Sequence, residues 1–146
     1  MRAALVFVFA LWASCAAAQE VTDWGTASLA QVNALRAEAG AGPVAVDTRL
    51  TKAAAAHARD MAKKGYFSHT GANGSTPGQR AKKAGFGFCF IAENLAKGPR
   101  DLNTALAGWM KSPGHRKNLL DPRAVRYALI EGPERIWVML LGADGC

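Results

Sequence analysis

The chain has 146 residues, 50% of them hydrophobic and 20% charged, which is typical of a single globular domain and excludes an intrinsically disordered protein. Its formal net charge of +7 favours anionic wall polymers or lipid head groups over nucleic acid as partners. The basic residues are scattered along the sequence with no long like-charged block and no interleaved aromatic residues, so a nucleic-acid-binding protein is not predicted. A solvated basic surface on a monomeric protein is the simpler interpretation.

Residues 1–18 have the pattern of a secretory signal peptide. Arg2 supplies the positive start, an apolar run extends from Leu5 to Trp12, and three alanines at 16–18 match a small-residue cleavage site. The apolar run is too short to span a bilayer as a mature helix. We therefore predict a secreted or periplasmic protein that is not an integral membrane protein once processed. A lipoprotein acylated at Cys15 is the less favoured alternative.

Cleavage after residue 18 leaves two of the three cysteines, Cys89 and Cys146. An even pair in an exported chain predicts a disulfide, whereas two free thiols are the alternative. The loop it would close holds about 58 residues, for which the chain-entropy model gives about 4 kcal/mol of stabilisation.

The first half of the chain predicts two long helices. Apolar residues at helical spacing indicate a helix over residues 26–39 and a second over 48–64, joined by an extended connector at 44–46. Asp47 or Thr48 can cap the second helix, and Gly65 bounds it. His57 lies on its apolar face, so we interpret it as a core histidine bonded to a backbone carbonyl or a neighbouring side chain.

A loop follows, in which aromatic residues meet a glycine-rich turn. Tyr66 and Phe67 precede His69, and two glycines and an asparagine follow within 70–74. Thr76 and Pro77 are a cap and a first-position residue for a short helix that ends before Gly85.

The second half carries an acidic residue in an apolar setting. Residues 86–91 are apolar and aromatic and are predicted to be packed, and Glu93 follows among small and apolar residues, which predicts partial burial. A helix capped by Asp101 is predicted over 102–110, and Ser-Pro-Gly at 112–114 is predicted to end it.

This stop would place His115 on a turn just behind Trp109, with a further short turn at 117–120. Two runs rich in β-branched and aromatic residues, 124–130 and 136–141, flank Gly-Pro and predict a β-hairpin at the end of the chain.

His69, Glu93 and His115 are the candidate catalytic or metal-binding residues. Imidazole and carboxylate are groups that zinc accepts, and they also serve as general acids and bases. Neither His-Glu-x-x-His nor Gly-x-Ser-x-Gly occurs in the sequence, so neither a zinc peptidase of that type nor a serine hydrolase of that type is indicated.

Four ordered motifs carry a resemblance to a known family. They are Ala-Ala-His-Ala-Arg-Asp-Met (55–61), Phe-Ser-His (67–69) followed by Gly74, Pro77 and Arg80, Ala-Glu-Asn-Leu-Ala (92–96) and Trp-Met-Lys-Ser-Pro-Gly-His-Arg-Lys-Asn-Leu-Leu (109–120). Together they resemble the CAP superfamily of cysteine-rich secretory, antigen 5 and pathogenesis-related 1 proteins, in its bacterial SCP-like secreted branch. The resemblance assigns residues 29–146 to this domain, after a lead-in at 19–28.

The resemblance implies an α+β fold, a three-layer α-β-α sandwich with a small antiparallel sheet and a central cleft. In that cleft it places His69, Glu93 and His115, with Trp109 in the lining. A second acid of the family pattern would fall near Ser112 and is missing. We therefore expect His69 and His115 to hold Zn²⁺ only weakly, with no need for the ion in folding.

Members of the superfamily are described as binding sterols or other lipids, as binding divalent metal, or as candidate peptidases. The sequence therefore predicts a secreted binding domain whose cleft takes a small ligand, such as a lipid, or a weakly held metal. The alternative is an extracellular hydrolase acting on peptides or cell-wall material, with Glu93 and a histidine as general acid and base.

Overall fold

The computed structural model describes residues 20–145, so the predicted signal peptide, Cys15 and Cys146 lie outside the described residues. Five helices are present in this part of the chain: α1 (Gly25–Glu38), α2 (Thr48–Lys64), α3 (Pro77–Lys83), α4 (Leu102–Lys111) and α5 (Pro113–Leu119). Five strands accompany them: β1 (Thr22–Asp23), β2 (Ala45–Val46), β3 (Phe88–Lys97), β4 (Arg126–Gly132) and β5 (Ile136–Asp144). None of the helices within residues 20–145 is long and apolar enough to cross a membrane.

Helix α2 has the predicted bounds because local signals set both ends. The Asp47 side chain accepts hydrogen bonds from the backbone N–H groups of Arg49 and Leu50 at 2.8 and 3.2 Å. At the other end Gly65 adopts φ 67°, a left-handed conformation that glycine takes without a Cβ penalty. Between these caps the helix buries one apolar face against the sheet.

The sheet has the order β1-β4-β5-β3, and β2 runs parallel to β4. Strands β4 and β5 form the predicted antiparallel hairpin, with Ile130 opposite Val138. Strand β3 pairs with β5 along its length, with Glu93 opposite Leu140, and lies at the edge of the sheet. Thr22 of β1 pairs with Glu131, so part of the predicted lead-in belongs to the same sheet.

Alternate residues of the sheet face two separate cores, as the period of a strand requires. Helices α2 and α3 pack on one face, where the core contains Leu50, Ala54, Met61, Ala128, Ile130, Val138 and Leu140. Helices α1, α4 and α5 lie on the other face, where the core contains Val32, Leu106, Trp109, Tyr127, Leu129, Trp137 and Met139. This arrangement confirms the predicted α-β-α sandwich.

The prediction for residues 112–120 was wrong in one respect. Helix α4 does end at Lys111, but Pro113 occupies the first position of a new helix, where a missing N–H costs no hydrogen bond. His115 therefore lies in the first helical turn of α5 and not in a connecting turn between elements. The turn predicted at 117–120 is instead part of the helix as far as Leu119.

Strand β3 was not predicted as a strand, since its polar residues interrupt the apolar pattern. Glu93 and Asn94 are 5% and 0% exposed, because both have hydrogen-bond partners within the fold. Their burial is deeper than the sequence indicated.

A buried arginine on α1 fixes the end of α5. Arg36 donates from Nε to the carbonyl of Gly42 and from Nη1 to the carbonyls of Leu119 and Asp121. Its Nη2 donates to the carbonyl of Ala124. Burial lowers the pKa of Arg36, and the four carbonyl oxygens supply the acceptors that a buried guanidinium needs.

Candidate functional site

The candidate site is centred on the carboxylate of Glu93, a residue whose side chain is 2% exposed. His69 donates from Nδ1 to Oε1 of Glu93 at 2.8 Å. Arg80 donates from Nη2 to Oε2 at 2.8 Å. Both carboxylate oxygens are therefore engaged, one by an imidazole and the other by a guanidinium.

Arg80 was not identified from the sequence as a site residue, although it occurs in the quoted family pattern. It lies on α3, which begins at a capping box formed by Thr76 and Gln79. Its Nη1 donates to the carbonyl of Ser75 at 2.7 Å, and the side chain is 10% exposed. The predicted burial of Glu93 could have indicated a cationic partner, because a buried acid requires one. No local sequence spacing, however, distinguishes Arg80 from the other cations of the chain.

The loop between α2 and α3 presents His69 on the surface, where its side chain is 55% exposed. Asp60 of α2 holds this loop, because its Oδ2 accepts from the hydroxyl of Tyr66 at 2.6 Å and from the N–H of Ala72 at 3.4 Å. The carboxylate of Glu93 accepts from Nδ1 of His69, which leaves Nε2 with no hydrogen bond to any residue of 20–145.

His115 approaches from the other layer of the sandwich, in the first turn of α5. Its Nδ1 lies 2.9 Å from Oγ of Ser112, the position where the family's second acid would fall. Burial lowers the pKa of His115, and the charge of His69 lowers it further.

Two consecutive residues of β3 connect the two histidines from opposite faces of the strand. Glu93 binds His69, whereas Asn94 donates from Nδ2 to the backbone carbonyl of His115 at 2.9 Å. Asn118 of α5 donates to Oδ1 of Asn94 at 3.0 Å and to the carbonyl of Glu93 at 3.3 Å. The edge strand therefore sets the position of both His69 and α5.

Trp109, predicted in the cleft lining, is 2% exposed and lies in the core. Its indole donates to the carbonyl of Leu95 at 3.1 Å, so it supports β3 from behind. His57 is 1% exposed, and its Nε2 donates to the carbonyl of Ser68 at 2.9 Å, as predicted for a core histidine. Burial lowers the pKa of His57.

The donor set suits only a sparse metal site. His69 and His115 each use Nδ1 in a hydrogen bond and can offer Nε2 as a ligand. Across residues 20–145, no group of three or more His, Cys, Asp or Glu side chains is arranged to hold a metal ion. A metal here would have two protein ligands, with water in the remaining positions.

A family model described as CAP, cysteine-rich secretory protein family, matches residues 29–129. The uncharacterized protein YkwD of Bacillus subtilis is 38% identical over 90 residues, which cover 62% of this chain and 35% of YkwD. The uncharacterized membrane protein YlbC of the same organism is 32% identical over 89 residues, covering 61% of this chain and 26% of YlbC. The matched part thus spans about a third or less of these relatives.

Solved structures share the fold. An extracellular protein containing an SCP domain from Bacillus anthracis aligns with a TM-score of 0.74 and 27% identity, over 82% of this chain and 41% of that one. An outer surface protein from Borrelia burgdorferi aligns with a TM-score of 0.76 and 24% identity, over 88% of this chain and 100% of that one.

Proposed function

The chain belongs to the cysteine-rich secretory protein (CAP) family, and on this basis we propose that it is an extracytoplasmic binding domain. Its site at His69 and His115 takes a small ligand or a weakly held divalent metal ion. The proposed location rests on the signal-peptide pattern of residues 1–18 and on the Bacillus anthracis relative, which is described as extracellular.

The hydrogen bond between His69 and Glu93 carries the proposal. A metal-binding histidine commonly donates its second ring N–H to a carboxylate, which fixes the tautomer and makes the other nitrogen a better ligand. Nδ1 of His69 makes this bond to Glu93 at 2.8 Å, which leaves Nε2 as the candidate ligand atom.

Two features make the proposed metal affinity low. Only two imidazoles are available, and the side chain next to His115 is the neutral hydroxyl of Ser112 instead of a carboxylate. A hydroxyl increases the basicity of its imidazole less than a carboxylate does. Zinc would therefore bind to the folded protein without contributing to its folding stability.

The burial and the contacts of Glu93 favour a binding function over hydrolysis. A general acid or base must reach the proton that it transfers. The side chain of Glu93 is 2% exposed, and its two oxygens are occupied by His69 and Arg80. These contacts support a role in orienting His69, and no described contact favours the alternative of a hydrolase.

Calorimetric titration of the mature protein with zinc at pH 7 and at pH 5.5 tests the proposal. We expect binding at pH 7 that weakens at pH 5.5, since protons compete for the imidazoles, and that is lost in His115→Ala. His57→Gln is the matched control: it also removes one imidazole, but outside the site, and should bind zinc as the wild type does.

A chelator should leave the melting temperature unchanged. Zinc binding that survives His115→Ala, or unfolding by the chelator, would contradict the proposed weak two-histidine site.

A further inference from the structure

The net charge of the protein is concentrated in one layer of the sandwich. Residues 47–84, which comprise α2, α3 and their connecting loop, contain eight Lys and Arg but only two Asp, a net charge of +6. The rest of residues 20–145 contains nine basic and nine acidic residues and has no net charge. The layer of α2 and α3 is therefore a cationic face, although its basic residues look scattered in the sequence.

A cavity of about 370 Å³ opens between α2 and α3 in this same layer. Residues of both helices line it, among them Lys52, Ala53 and Ala56 of α2 and Arg80 and Lys83 of α3, with Ala84 directly after α3. Its volume is at the small end of the range of ligand pockets. It does not include His69, Glu93 or His115, so it is separate from the two-histidine site.

The lining of this cavity has an excess of positive charge. Lys52 and Lys83 are exposed on opposite helices, and Arg80 lies deeper in the wall. The one acid in the lining, Asp60, is already compensated: Lys64 lies 2.7 Å from its Oδ1, and its pKa is lowered to about 2 by Lys64 and Tyr66. No interaction of Lys52 or Lys83 with another residue of the described part offsets their charges.

The inner wall also contains two polar atoms with no hydrogen-bond partner among residues 20–145. They are Nδ1 of His57 and Nε of Arg80. Both are covered by neighbouring atoms, and a buried polar atom without a partner costs stability. Such atoms are uncommon in a folded protein.

We propose that this cavity binds a small organic acid, with its carboxylate at Lys52 and Lys83 and its short apolar body against Ala53, Ala56 and Ala84. The anion offsets part of the charge of the cationic face, and the alanines provide the apolar wall that an inorganic anion would not use. Because Arg80 belongs both to this wall and to the pair with Glu93, two side chains, Arg80 and Glu93, connect the cavity to His69.

Binding of hexanoate to the mature, metal-free protein tests the inference, with 1-hexanol as a neutral ligand of equal chain length. Two-dimensional NMR titration gives the affinity and the location of each ligand. Hexanoate should bind about tenfold or more tightly than hexanol in low salt, should perturb the amides of α2 and α3, and should weaken as salt is added. Equal affinities for the two ligands would overturn the proposal.

Two double variants distinguish binding of hexanoate in the cavity from its attraction by the overall positive charge of the layer. Lys52→Gln/Lys83→Gln removes two charges from the cavity, whereas Arg59→Gln/Lys63→Gln removes two exposed charges of α2 outside it. The first should weaken hexanoate binding about tenfold, and the second about twofold or less. Equal weakening by both would show that hexanoate follows the overall charge and has no site. His115→Ala should leave hexanoate binding unchanged, so the result is independent of the zinc experiment.

Discussion

Glu93 and Arg80 form an ion pair with a separation of 2.8 Å, in which the side chains are 2% and 10% exposed. A pair so well shielded from water is costly to form but far more costly to break, since the remaining charge would have no partner in the interior. The pair links β3 to α3 and, through the second oxygen of Glu93, to His69.

The first prediction concerns this pair. Glu93→Gln and Arg80→Gln should each lower the free energy of unfolding by about 3 kcal/mol, because each leaves a buried charge unpaired. The double variant should lose clearly less than the sum of the two, since both charges are then absent. Denaturant unfolding of the four proteins measures the coupling. Additive losses would mean that the two side chains do not stabilise each other.

The second prediction concerns Arg36, which donates to the carbonyl of Gly42 and to three backbone carbonyls at and after the end of α5. Arg36→Met keeps much of the side-chain length but leaves these acceptors without their donor, and should cost about 3 kcal/mol. Arg100→Met is the matched control, because Arg100 is 83% exposed and should leave the unfolding midpoint unchanged. Similar midpoints for the two variants would disprove the structural role of Arg36.

The parts of the fold that were predicted depend on local signals. The Asp47 cap and Gly65 set α2, and the capping residues Thr76 and Asp101 set the starts of α3 and α4. Strand β3 could not be predicted in this way, because Glu93 and Asn94 are stable in the interior only through partners that are distant in sequence.

Helix α5 was missed for a different reason. Ser-Pro-Gly both ends one helix and begins the next, and a sequence pattern does not distinguish these two uses of Pro113. The motifs were enough to name His69, Glu93 and His115 as candidates, whereas the contact of Arg80 with Glu93 required the structure.

The third prediction concerns pH. Burial lowers the pKa of His57 and, with the charge of His69, that of His115, so the unfolded chain binds protons below about pH 6.5 that the folded chain does not. The free energy of unfolding should therefore fall as the pH decreases from 6.5 toward the lowered pKa values of the folded state.

The variant His57→Gln keeps a donor for the carbonyl of Ser68 and removes one of the two titrating groups. The free energy of unfolding of this variant should decrease less steeply with falling pH than that of the wild type. The two slopes should differ by up to about 1.4 kcal/mol per pH unit. Denaturant unfolding between pH 7.5 and 5 measures both slopes. Identical slopes would show that His57 does not titrate differently in the folded and unfolded states.

The fourth prediction is a disulfide between Cys89 and Cys146. Cys146 lies outside the described residues, but Sγ of Cys89 is 3.6 Å from the carbonyl oxygen of Ala143, three residues before the end of the sequence. Mass spectrometry of the non-reduced mature protein should show a loss of two hydrogens, and reduction should lower stability by up to about 4 kcal/mol. Alkylation of both thiols without prior reduction would rule the bond out.

Strand β3 carries the candidate site at the edge of the sheet, a position from which proteins tend to aggregate by adding a strand from a second molecule. The carbonyl oxygens of Glu93 and Leu95 already accept hydrogen bonds from the side chains of Asn118 and Trp109, at 3.3 and 3.1 Å. An incoming strand would have to displace both. The side chains that hold α4 and α5 against β3 thus also protect the protein from edge-to-edge polymerisation at high concentration.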